Sequence, residues 1–120
     1  MHIFQFGQQS GKHIDKFNSN FIISRIMQYT GSLHMNCVYL EQDGVIGYHQ
    51  APIPQLLLIM NGKGQVKGND DVFIDIQQGD AVYWEKDEWH ETKTTSGMTA
   101  IMIESEQLDL SHLQLMSNKA

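Results

Sequence analysis

The sequence predicts an all-β fold, an antiparallel β-barrel or jelly roll with a short helical or irregular C-terminal tail. Three observations predict it. Turn signals recur at short intervals: Asp43-Gly44, Asn61-Gly62-Lys63-Gly64, Gly68-Asn69-Asp70-Asp71, Gln78-Gly79-Asp80, Lys86-Asp87-Glu88 and Ser96-Gly97. Between them lie short runs that are apolar or alternate apolar with polar, the rhythm of antiparallel strands. The 120 residues are 41% hydrophobic with only two prolines, enough for a single domain that buries about two-thirds of its unfolded surface.

The elements follow in order. Residues 2–6 read as an N-terminal edge strand. Phe21 to Tyr29, rich in isoleucine and aromatics, and residues 33–41 read as strands. Residues 45–49 and 55–60 follow, separated by Pro52 and Pro54, each of which removes a ladder donor. Asn61-Gly62 is a hairpin signal that would fold Gln65–Lys67 back on the preceding strand. Val72–Ile76, 80–84, 89–94 and 98–104 complete the set. In the last, Met98, Ala100 and Met102 alternate with Thr99, Ile101 and Ile103. In the tail, 105–120, Ser111-His-Leu-Gln114 has capping-box spacing, and its leucines would dock one or two helical turns.

Composition excludes several function classes. Fourteen acidic against eight basic residues give a net charge of −6, and an acidic domain repels phosphate backbones, so no nucleic-acid partner is expected. The longest apolar run, Leu56 to Met60, is too short to span a bilayer, and the N-terminus lacks a basic lead and cleavage site. The single cysteine, Cys37, forbids an internal disulfide and reads as a small buried hydrophobe in a reducing, cytoplasmic setting. No Ser/His/Asp or Cys/His nucleophile pattern and no phosphate-cradling loop is visible. His2, His13 and His112 read as surface histidines, and Asp70-Asp71 as turn chemistry.

Two stretches carry a family pattern. Gly44 is followed by four residues, His49, Gln50, Ala51-Pro52, Gln55, and Gly62 six residues later. Sixteen residues on, Gly79 is followed by five residues, then Glu85, Asp87, His90 and Thr94. The ordered pair resembles the cupin superfamily, as a small single-domain cupin, over about residues 34–104. The family's first motif is glycine, five residues, His-x-His, a glutamate and a closing glycine. Its second is glycine, five residues, Pro-x-Gly, a histidine and an asparagine.

The resemblance implies a β-barrel that holds a divalent transition metal (Zn, Fe, Mn or Ni) on three histidines and one glutamate. By position this chain keeps His49 and His90, has Ala51 in place of a ligand, and has Gln55 in place of the carboxylate. Two imidazoles and an amide oxygen can make three donors but bring no negative charge. His34, Tyr39 or Glu41 on the preceding strand could supply the missing one if it points inward; His34 and Glu41 are expected to face water. Tyr48, Tyr83, Trp84 and Trp89 flank the histidines as pocket aromatics or core, and Thr92 and Thr94 share the face of His90.

Two functions follow from the resemblance. One is small-molecule binding in a pocket centred on His49, Gln55 and His90 without tightly held metal. The other is metal-dependent dioxygenase, isomerase or lyase chemistry with those three as ligands. The resemblance also implies a homodimer in which residues 2–6 extend the partner's sheet.

Overall fold

The structure, a computed structural model, describes residues 1–116. Its strands, in chain order, are β1 (His2–Gln5), β2 (Lys12–Ile14), β3 (Phe21–Ile23), β4 (His34–Leu40), β5 (Val45–Gln50), β6 (Gln55–Lys67), β7 (Ile74–Gln77), β8 (Asp80–Trp84), β9 (Trp89–Lys93), β10 (Met98–Glu104) and β11 (Gln114–Leu115). Every pairing among them is antiparallel. One bent nine-stranded sheet has two arms. The larger runs β11-β1-β8-β6-β10-β4, the smaller runs β5-β9-β6-β7, and β6 belongs to both. β2 and β3 form a separate ribbon. The all-β jelly-roll class expected from the sequence is present. It is an open sandwich, because no ladder joins β4 to β5 and the barrel stays unclosed along that seam.

β6 explains the longest apolar run. Leu57 and Ile59 point between the two arms, into a core with Ile3, Val66, Val82, Trp84 and Ala100. Leu56 and Leu58 point to the opposite face, into a second cluster with Ala81, Ile103 and Leu113. Irregular residues from 26 to 33 and from 108 to 113 cover that outer face. A strand covered on both sides needs no alternation, so the run reads Leu-Leu-Leu-Ile. Each such side chain contributes about 1.5–3 kcal/mol of burial. Tyr29 and Ser105 strap the covering segment down: their hydroxyls lie 2.6 Å apart, and Ser105 donates to the Ser32 carbonyl at 2.9 Å.

Five sequence expectations change. Asn61-Gly62 is not a hairpin: β6 continues to Lys67 and turns a corner there, from the larger arm to the smaller. Gly62 takes φ +85 at that corner, and the ladder to β10 slips register at Thr99/Ala100. β1 is not an edge strand. It is paired to β8 on one side and β11 on the other, so it is not a free strand for a partner's sheet. The expected strand from Phe21 to Tyr29 stops at Ile23, because Ile26 and Met27 turn down onto the outer cluster. The tail through Met116 has no helix. Ser111 N–H bonds Asp109 at 2.9 Å in a turn, and Gln114–Leu115 add a short strand; residues 117–120 of the expected tail lie outside the described residues. Cys37 is also exposed. It sits on the outer face of β4, beyond the reach of the covering segments.

Gly62 gives a direct test. A Cβ there would lie against the Gly97 carbonyl oxygen, a backbone atom that cannot swing aside. Gly62→Ala is expected to lower stability by more than about 1 kcal/mol, from the positive φ and the clash together. Urea unfolding of the two proteins measures it; an unchanged midpoint would contradict the corner.

Candidate functional site

The smaller arm brings the two motif histidines together. β5 pairs with β9 in a register that matches Ile46 with Thr92 and His49 with His90. Three steps along β5 thus span two along β9, so β5 carries one extra residue, a bulge. The bulge lets Ile46 and His49 face the same side. The ring centroids of His49 and His90 lie 4.3 Å apart, tilted at 53°. Trp84 forms the floor. It is fully buried, stacks on His90 at 4.6 Å, and its indole N–H donates to the Lys67 carbonyl at 3.2 Å.

Both rings are held by the backbone two residues earlier. His49 Nδ1 lies 2.7 Å from the Gly47 carbonyl, and His90 Nδ1 lies 3.2 Å from the Glu88 carbonyl. A carbonyl only accepts, so each Nδ1 carries the proton. In the neutral form each Nε2 then presents a lone pair. His49 is exposed at the rim, whereas His90 is 1% exposed. Among the described residues, His90 Nε2 is the buried side-chain polar atom left without a hydrogen-bond partner. An unmet acceptor in the interior costs about 1–3 kcal/mol.

Burial pushes the His90 pKa below the ordinary histidine value, and the neighbouring His49 pushes it the same way; the Glu88 carbonyl and carboxylate oppose them. His90 is therefore a neutral acceptor near pH 7.

The other expected residues divide. Gln55 is 3% exposed on the inner face and pairs in register with Trp84 and with Glu104. Thr92 is buried on the face of His90. Thr94 is structural: its hydroxyl donates to the Lys63 carbonyl at 2.7 Å and accepts from Gly97 N–H at 3.0 Å. Tyr48 and Trp89 turn away. They stack on each other at 5.3 Å on the outer face, with the Lys67 ammonium 4.7 Å over Tyr48. Tyr83 stacks on His2 on the far side of β8, at 6.5 Å.

Ala51 is fully buried, and its backbone bonds Glu88 and Asp87. It fills space where a ligand would have stood. Tyr39 is 74% exposed on the outer face of β4, and Glu41 is exposed beyond it, so neither completes the site. His34 stands on the inward-facing side of β4, in register with Glu104, yet is exposed.

Glu104 was not singled out from the sequence. It continues the inward series Met98, Ala100, Met102 and lies beside Gln55, so strand alternation was the signal that could have found it. Among the described residues, no three His, Cys, Asp or Glu side chains converge to hold a metal. Clefts of about 620, 630 and 580 Å³ lie elsewhere and are not lined by His49, Gln55 or His90. Among the described residues, no helix is long and apolar enough to cross a membrane.

No protein-family profile and no curated protein sequence matches the chain. Solved structures do. A cupin superfamily protein from Desulfitobacterium hafniense matches with TM-score 0.59 at 13% identity, covering 69% of this chain and 75% of that one. An RmlC-like cupin from Shewanella frigidimarina matches with TM-score 0.59 at 15% identity, over 66% and 70% of the two chains. A predicted oxalate decarboxylase from Thermotoga maritima matches with TM-score 0.54 at 15% identity, over 68% and 65%. At these identities the likeness shows the fold alone: this chain has the cupin fold.

The buried imidazole makes stability depend on pH. The folded-state pKa of His90 lies below the unfolded value of 6.5. Below that value the unfolded chain takes up a proton that the folded chain refuses, so stability falls as pH drops from 6.5 to the lower folded pKa. Melting temperatures recorded from pH about 8 to about 5 should fall for the wild type, and fall less for His90→Asn, which has no ring to titrate. Equal slopes would mean that His90 is not the group responsible.

Proposed function

We propose that this protein binds a small molecule on the inner face of its jelly roll, against His49, Gln55 and His90, with Trp84 as the apolar floor and Thr92 beside it. One observation carries the reading: the buried Nε2 of His90, an acceptor with no partner, beside a second imidazole whose Nε2 is an acceptor by the same backbone device. Two acceptors select a ligand that offers donors. Hydroxyl and amino compounds fit better than carboxylates, since among the described residues the inward-facing positions around the site carry Gln55, Glu104 and His34 and no lysine or arginine.

A thermal-shift series above pH 7 checks this. Glucose and glucosamine are expected to raise the melting temperature more than glucuronate does. His90→Leu should weaken the effect roughly two- to tenfold in concentration, the worth of one hydrogen bond. If none of the three sugars shifts the wild type, the binding assignment loses its support.

A second reading, a divalent cation held by His49, Gln55 and His90, is favoured by the same pair of Nε2 lone pairs. Imidazoles held through Nδ1–H by a carbonyl are oriented as metal ligands are. The donor set does not fit a closed catalytic centre. Ala51 contributes no donor, Gln55 contributes no charge, and no third His, Cys, Asp or Glu converges among the described residues. No reaction step is therefore drawn through a metal, and dioxygenase, isomerase or lyase activity has no further support. Elemental analysis separates the readings. Under the first, protein purified without added metal is expected to be metal-poor and its melting temperature indifferent to a chelator. Stoichiometric Zn, Fe, Mn or Ni that disappears in His49→Ala and His90→Ala would establish the second.

A further inference from the structure

Most sheet edges in this molecule are guarded. β11 has two residues, and β2 and β3 have three each. β5 is interrupted by its bulge. β7 carries Asp75 and follows the acidic Asp70-Asp71 turn. Short length, bulges and charge are the usual devices that keep an edge from pairing with another chain.

β4 has none of them. It is seven residues long, and its register with β10 is unbroken from His34 to Leu40. Among the described residues β10 is its only strand partner, so the other backbone edge has no ladder there. The sequence His-Met-Asn-Cys-Val-Tyr-Leu contains no lysine, arginine, aspartate, glutamate, glycine or proline. Met35 is 59% exposed, Tyr39 is 74% exposed and Cys37 is exposed, all on one face.

We propose that this edge pairs with the same edge of a second copy, antiparallel, about a two-fold axis through Cys37. The sequence of the strand selects that occupant. With Cys37 opposite Cys37, all seven residues pair, and the pairs are self-complementary. Met35 faces Tyr39 of the second copy, a sulfur–aromatic contact, and the axis repeats it. On the inner side Asn36 faces Val38 and His34 faces Leu40. No two like charges meet along the ladder, although the chain as a whole carries −6. An isologous contact of this kind closes on itself, and it extends the larger arm into one sheet across two molecules. It replaces the N-terminal route to a dimer, since both sides of β1 are already paired within the chain.

Directly opposed residues of an antiparallel pair have Cβ atoms roughly 4.5–5.5 Å apart, so the two Cys37 thiols become reporters of the axis. The experiment is multi-angle light scattering across a concentration series, with brief diamide oxidation and non-reducing electrophoresis. The wild type is expected to be dimeric and to cross-link through Cys37. Cys37→Ser should stay dimeric without cross-linking. Cys37→Lys, a change at an exposed position that sets two ammonium groups face to face, should weaken the dimer roughly fivefold or more with the melting temperature of a dilute monomer unchanged. A wild-type monomer at all concentrations would overturn the proposal. So would a dimer that survives Cys37→Lys and never cross-links, since its interface must lie elsewhere.

Discussion

The structure depends on one strand. β6 is hydrogen-bonded to β8 and β10 along its first half and to β7 and β9 along its second. A strand has two edges, so four partners require it to change neighbours midway. Gly62 is where it does so. Its left-handed φ bends the chain, and its missing side chain lets the Gly97 backbone close on the corner. The face assignments also switch there, from Leu57 and Ile59 inward to Val66 inward. Everything that positions the site hangs on this bend. Gln55 begins β6 in one arm, and β9 brings His90 in with the other.

The site itself is economical in its parts. Each histidine is oriented by the carbonyl two residues before it, so the ring position is a property of a short loop or bulge and needs no distant partner. Burial then acts on only one of the two. His90 is sealed against Trp84 and kept neutral, whereas His49 stays at the rim in contact with water. The pair thus offers similar acceptors at two depths, and the deeper one is buried without a partner. Ala51 shows the other half of this arrangement. Its methyl group is completely enclosed and its backbone bonds the turn before β9, so the position serves packing.

Much of the fold was legible because strand alternation and turn residues act locally. β8 and β10 begin and end where the sequence placed them, and the glycines at 44, 62 and 79 mark real strand boundaries or corners. What failed was what depends on distant chain. Gly62 in Asn61-Gly62 has the same left-handed preference in a hairpin turn and in a corner, and only the partners β7 and β9 decide between them. Cys37 sits in an apolar run, but burial depends on whether another segment covers that face, and none does. In the site, motif spacing singled out His49, Gln55 and His90, and the structure sets His49 beside His90 with Gln55 on the same inner face. Spacing misjudged Tyr48 and Trp89, because the neighbour of an inward residue on a strand points outward. Glu104 was missed because attention went to motif positions, while its place beside Gln55 comes from a ladder between residues far apart in the chain.

The double pairing of β1 has a consequence for how the chain reaches this state. Its partners are residues 80–84 and 114–115. During synthesis the first strand emerges long before either exists, and its apolar Ile3 and Phe4 must wait for both. Closing so large a loop costs chain entropy before any ladder repays it, which slows folding. The ribbon of β2 and β3 needs only nearby residues and can form at once. The larger arm therefore cannot be completed until residues 114–115 are available to pair with β1.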